Sequence, residues 1–89
     1  MLVALIARDK PGHLEVRKAN RDAHLAHIEK TGVVAQAGPF LDADGQMCGS
    51  LVILDVPDMA AAEAWAEADP YANAGLFESV SLMEWKKVL

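Results

Sequence analysis

Cysteine is nearly absent: the 89-residue chain holds one, Cys48. No internal disulfide can staple it, so a packed core must hold the fold. A lone cysteine also suits a reducing compartment. Positive charge is scarce. Eight Lys and Arg stand against thirteen Asp and Glu, a net charge of −5, which is the wrong sign for a surface that neutralises a nucleic-acid backbone. Long hydrophobic runs are missing, so no membrane span is expected. The short run Leu2–Ala7 lacks a basic lead-in and a small-residue cleavage site. It reads as a strand rather than a signal core, and a cytoplasmic location is expected. Several motifs of known chemistry are missing as well. There is no H-E-x-x-H, no cysteine pair, no G-x-S-x-G and no Walker-type glycine loop. His24 and His27 have a chelating spacing, yet no third ligand stands at a diagnostic distance. Neither a metal nor a cofactor is expected.

Apolar residues are plentiful, at 53% of the chain. Alanine inflates that count, but a chain of this length has a thin core and a large surface. The excess therefore points to a buried interface between subunits. The length allows one domain, residues 1–89.

Leu2–Ala7 is apolar without alternation, the pattern of a strand buried on both faces. Arg8–Gly12 reads as a loop closed by Pro11-Gly12. A helix is expected from His13 to Thr31, stopped by Gly32. Val33–Leu41 reads as a strand with a break or bulge at Gly38-Pro39, followed by a turn at Asp44-Gly45. Ser50–Leu54 is a third strand. Asp58 is placed to cap a second helix, Met59–Ala68, which Pro70 ends. Ser79–Val88 reads as the last strand. The order β-α-β-β-α-β predicts an α+β, ferredoxin-like fold with an antiparallel sheet and strands one and three at its centre. Helices cover one face of such a sheet. A second copy of the chain is the economical cover for the other.

The first helix carries an anomaly. On a helical wheel with Leu14 at zero, Leu25 falls at about 20° and Ile28 at about 320°, which marks the core stripe. Arg21 lands inside that stripe at about 340°, and Arg17 and His24 flank it at about 300° and 280°. A solvated charge run belongs on the opposite side. A guanidinium drawn into a packed region needs acceptors. Arg21 therefore either snorkels to water or pairs with a carboxylate such as Asp55 or Glu84, or it faces a polar pocket and binds an anion. His24 can move protons near neutral pH. His27 is expected to face solvent, His13 to have no special task, and Cys48 to be an ordinary strand residue. Ser50 opens the third strand, where its side chain could point into a pocket. Asp69-Pro70-Tyr71 reads either as a plain helix stop or as a stiffly held carboxylate that accepts a hydrogen bond from a histidine.

These pieces together resemble the YCII-related family of small bacterial proteins, over essentially the whole chain. The resemblance is carried by Arg17-x-x-x-Arg21-x-x-His24-Leu25, Ala37-Gly38-Pro39 and Gly49-Ser50. It continues in Ala64-Trp65-Ala66-Glu67-Ala68-Asp69-Pro70-Tyr71-Ala72-Asn73-Ala74-Gly75 and Trp85-Lys86-Lys87-Val88. The hairpin Leu41–Met47 is short for the family. The resemblance implies a ferredoxin-like subunit that dimerises sheet to sheet, as in dimeric α/β barrels. It also implies a site built on a His–Asp pair, which maps to His24 and Asp69.

Two functions follow. In the first, the protein is a cofactor-free enzyme of isomerase or lyase type. His24 is the general acid or base, Asp69 orients it, Arg17 or Arg21 holds a carboxylate, phenolate or enolate, and Ser50 and Tyr71 line the pocket. The substrate is then a small anionic metabolite, ring-derived by analogy with muconolactone isomerase-like enzymes of the wider fold. In the second, the same cluster belongs to a binding or accessory dimer that converts nothing.

Overall fold

The computed structural model describes all residues from Met1 to Leu89. Its elements are β1 (Leu2–Asp9), α1 (Leu14–Thr31), β2 (Val34–Leu41), β3 (Met47–Asp55), α2 (Met59–Ala68), α3 (Pro70–Asn73) and β4 (Phe77–Trp85). The four strands form one antiparallel sheet in the order β2-β3-β1-β4. This is the ferredoxin-like βαββαβ arrangement, with the two most apolar strands at the centre.

Local chemistry explains most boundaries. Gly32 closes α1 in the left-handed conformation (φ 65°), and its N–H donates to the Ile28 carbonyl. Asp58 caps α2 by accepting from the Ala61 N–H at 2.8 Å. Pro70 does more than stop α2. It occupies the first turn of a new short helix, α3, where a missing N–H costs nothing.

Several boundaries differ from the sequence expectation, that of β3 among them, which begins at Met47 rather than Ser50. β1 runs on through Arg8 and Asp9, because both pair with β4. β4 begins earlier, at Phe77, and ends at Trp85. The irregularities of β2 lie between Val34 and Gln36 and between Phe40 and Leu41. Gly38 and Pro39 stay in register opposite Leu51 and Ser50. β2 is an edge strand, the place in a sheet where a proline's missing donor is tolerated.

Side chains alternate across the sheet. Val3, Leu5 and Ala7 of β1, with Val52 and Leu54 of β3, point under the helices and are buried against Val56, Ala62 and Trp65. The opposite face presents Ile6, Leu51, Met83 and Trp85, which keep substantial exposure in the single chain. The central strands are thus covered on one face only within one chain.

Helix α1 departs furthest from its wheel. Its buried residues are Arg17 and His24. Leu25, placed in the core stripe by hydrophobicity, is 44% exposed, and Arg21 is exposed as well. The helix is rotated so that two polar side chains turn inward, because partners wait for both: Asp9 and Ser50 on the sheet for Arg17, and Asp69 at the α2–α3 corner for His24. His27 also differs from expectation. It is half-buried, its Nε2 donates to the Trp65 carbonyl at 3.2 Å, and its ring lies 4.5 Å from the indole. The indole N–H in turn donates to the Thr31 hydroxyl, latching α2 to the end of α1.

Candidate active site

Two polar clusters meet under α1. In the first, His24 Nδ1 lies 2.8 Å from Asp69 Oδ1. Asp69 sits at the α2–α3 corner, where the same oxygen also accepts the Tyr71 backbone N–H at 3.0 Å. Pro70 stiffens that corner, and Asp69 is 1% exposed. A carboxylate there makes Nδ1 the protonated ring nitrogen, which leaves Nε2 as the acceptor. Nε2 makes no hydrogen bond within the protein, and no buried side-chain nitrogen or oxygen lacks a partner. The free nitrogen is therefore reachable from the cavity that the ring lines.

In the second cluster, Arg17 is gripped by Asp9. Nε donates to Oδ2 at 2.7 Å and Nη2 to Oδ1 at 2.9 Å, a bidentate pair with both side chains almost sealed from solvent. Nη2 also donates to the Ser50 hydroxyl at 2.8 Å. Burial alone would lower the Arg17 pKa; the hydrogen bonds and charge of Asp9 outweigh it and raise the value.

Tyr71 joins the clusters. Its ring stacks on His24 with centroids 4.0 Å apart and planes 15° apart, and the Arg17 guanidinium carbon lies 4.7 Å from its centroid. Burial raises the phenol pKa above that of an ordinary tyrosine, although the charges of Arg17 and Arg21 oppose the shift. Tyr71 is a neutral phenol at neutral pH.

A cleft of about 180 Å³ opens beside these groups, lined by Arg17, Arg21, His24, Ser50 and Tyr71 and by apolar atoms of Leu25, Ile28, Met47 and Val52. Ala37, Gly38 and Pro39 of the edge strand form its far wall. Gly49 is part of the frame. A Cβ there would stand 2.5 Å from the Ala7 carbonyl oxygen, so only glycine lets β1 and β3 approach this closely beside Ser50.

The residues expected from sequence therefore gather at one place, with two qualifications. Asp69 stands behind His24 and does not line the cleft. Arg21 is at the rim without an ion pair, and neither Asp55 nor Glu84 reaches it. Sequence reasoning missed Asp9. Its signal was present, since Asp9 continues the inward series Val3, Leu5, Ala7 by the same two-residue step. No three His, Cys, Asp or Glu side chains converge as metal ligands, and no helix is long and apolar enough to cross a membrane.

The YCII-related domain matches residues 1–86. The chain belongs to the YCII-related family. It is similar to protein YciI of Escherichia coli O6:H1, with 40% identity over 99% of either chain. An uncharacterised protein of Haemophilus influenzae is 34% identical over the same shares. Among solved structures it resembles 5-chloro-2-hydroxyhydroquinone dehydrochlorinase (TftG) from Burkholderia phenoliruptrix AC1100, solved in complex with 2,5-dihydroxybenzoquinone. The identity is 35% and the TM-score 0.90, covering 97% of this chain and 94% of that one. An antibiotic biosynthesis monooxygenase at 16% identity and TM-score 0.58 shares the fold alone. The motifs that carry the YCII-related resemblance lie apart in sequence, yet members of four of them line or back the same cleft.

Proposed function

We propose that this YCII-related protein is a cofactor-free enzyme of lyase or isomerase type, acting by proton transfer on a small anionic, ring-derived compound. One observation carries the reading: a histidine held by a buried carboxylate at 2.8 Å turns its other nitrogen to a cleft with a cationic rim. His24 Nε2 takes a proton from an acidic O–H or C–H of the ring. From a C–H beside a ring carbonyl, the bonding pair forms a ring C=C and the charge passes to the carbonyl oxygen near Arg21; from an O–H, the charge rests on that oxygen until its pair re-forms the C=O. If that pair expels a leaving group, the result is elimination. If the proton returns from His24 to another carbon, the result is isomerisation. Asp69 holds the imidazole and stabilises its charged form during transfer. The likeness to a dehydrochlorinase that acts on a chlorinated hydroquinone supports the elimination branch.

The same reading takes the protein as a cytoplasmic homodimer, in which a second copy covers Ile6, Leu51, Met83 and Trp85 on the bare sheet face. Sedimentation equilibrium at micromolar concentration tests the dimer, and a monomer there rejects it.

The chemical test is to incubate the protein with chlorinated and hydroxylated hydroquinones and follow chloride release and the ring spectrum. The wild type turns over at least one compound, and a folded His24→Gln variant loses about 100-fold or more in rate. Equal turnover by the two proteins rejects His24 as the proton carrier. Tight binding with no conversion by the wild type moves the protein to the binding-module reading.

A further inference from the structure

Arg17 is a poor candidate for the charge that meets an anionic ligand, and its geometry gives it another task. Its bidentate pairing with Asp9 already neutralises it at close range. Arginine has donors and no acceptor, so in the contact with Ser50 the hydroxyl oxygen must accept. One lone pair of Oγ is thereby occupied by a cationic donor, and the hydroxyl hydrogen is left over. The Ser50 hydroxyl makes no other hydrogen bond within the protein, and the side chain lines the cleft beside His24 and Tyr71. The strand around it is rigid, because Ser50 is paired to Ala7 on one side and Pro39 on the other. A hydroxyl that accepts from a cation is a stronger donor than a free one, since each bond polarises the next.

We propose that Asp9, Arg17 and Ser50 form a donor relay, in which the Ser50 hydroxyl hydrogen-bonds the anionic oxygen of the ligand and Asp9 is the positioning residue that aims it. This rests on the cleft being an oxyanion-binding site as read above, and it names the ligand class more closely: a phenolate or enolate oxygen. Arg21 at the rim supplies free charge; Ser50 supplies direction. The relay moves no proton of its own, because Asp9 is occupied by Arg17 and cannot reach Ser50 directly.

The test uses the full chain and 2,5-dihydroxybenzoquinone, a coloured oxyanion, as probe. Affinity and the shift of its visible band on binding are measured for wild type, Ser50→Ala, Asp9→Asn and the double variant. The wild type binds and shifts the band. Ser50→Ala weakens binding about tenfold and abolishes most of the shift. Asp9→Asn weakens both less, and adds nothing in the Ser50→Ala background, which a merely structural role for Asp9 would not produce. If Asp9→Asn does not fold, Asp9→Glu keeps the charge, moves the guanidinium and is read in the same way. Unchanged affinity and spectrum in Ser50→Ala overturn the relay and leave the His24–Asp69 site intact. Independent, multiplying effects of the Asp9 and Ser50 changes overturn the role of Asp9. A wild type that fails to bind the probe overturns the oxyanion reading of the cleft, and the relay with it.

Discussion

The two ends of one strand pair are built from different materials. At one end of β1 and β3, Val3 lies beside Leu54, and the space under the helices is filled by Val56, Ala62 and Trp65. At the other end Ala7 lies beside Ser50, and the same layer holds Asp9, Arg17, His24, Asp69 and Tyr71. Both ends bury their side chains, the polar one beside an open cleft. The apolar end gains from removing hydrocarbon from water without directional demands. The polar end is tolerable only because each buried side-chain donor and acceptor has a partner. A hydrocarbon layer would have filled that end at lower desolvation cost, so the polar end is what the proposed function has to account for.

That contrast can be broken most directly at Arg17. An Arg17→Met change leaves the Asp9 carboxylate buried without its cation and should destabilise the fold by about 3–5 kcal/mol. A Leu54→Ala change at the apolar end should cost about 2–5 kcal/mol through lost burial and a residual cavity. Urea unfolding measures both. The distinguishing result is the rescue: adding Asp9→Leu to Arg17→Met should restore most of the loss, whereas no second polar change repairs Leu54→Ala. Absence of rescue would mean that the polar end is held by shape rather than by charge pairing.

A smaller effect is expected at the frame between the ends. Gly49→Ala forces its Cβ against the Ala7 carbonyl and should cost about 1–3 kcal/mol by displacing β3 from β1. By moving Ser50 it should also weaken the proposed binding of the 2,5-dihydroxybenzoquinone probe, so an unfolding curve and a probe titration on one sample sharpen the link between frame and site. Full stability would show that the strands separate more easily than their register implies.

The smallest effect on stability, and the most specific to the polar end, is the ionisation of Tyr71. It is the only tyrosine in the chain, so the near-ultraviolet absorbance of phenolate reports it alone. Its folded pKa is raised above 10.0 by burial, against the opposing charges of Arg17 and Arg21. The unfolded chain loses that proton at about 10. The fold therefore favours the neutral phenol, and this contribution to stability is complete below about pH 10 and lost as pH rises through the folded value. Arg21→Gln removes one opposing charge. It should push the ionisation higher while leaving stability at neutral pH within about 0.5 kcal/mol. An ionisation that stays at the unfolded value in both proteins would place Tyr71 in contact with bulk water.

The elements themselves were readable because they rest on local physics. Asp58 and Gly32 act within a turn of their own positions, and the apolar runs of β1 and β3 identify central strands whatever else the chain does. The reading weakened where periodicity was used to orient α1. Hydrophobicity assumes that leucine points inward and arginine outward. Leu25 and Arg17 reverse that, since a buried guanidinium is stable only with acceptors supplied from elsewhere in the chain. Asp9 is inconspicuous in the sequence for the same reason. As a neighbour of Arg8 and Lys10 it looks like a loop residue, and only its two-residue step from Ala7 marks it as inward.

Sequence alone thus determined the order of the four strands and two long helices, the central strands, a cap on each long helix and the residue types from which a proton-transfer site can be made. Tertiary structure decided the rest: that Arg17 belongs to Asp9 and Ser50 while Arg21 stays unpaired at the rim, and that His24 meets Asp69 across 45 residues. The first group depends on interactions within a few residues, which the linear order contains. The second depends on which acceptor lies nearest once α1 docks on the sheet, and that proximity exists only in the folded chain.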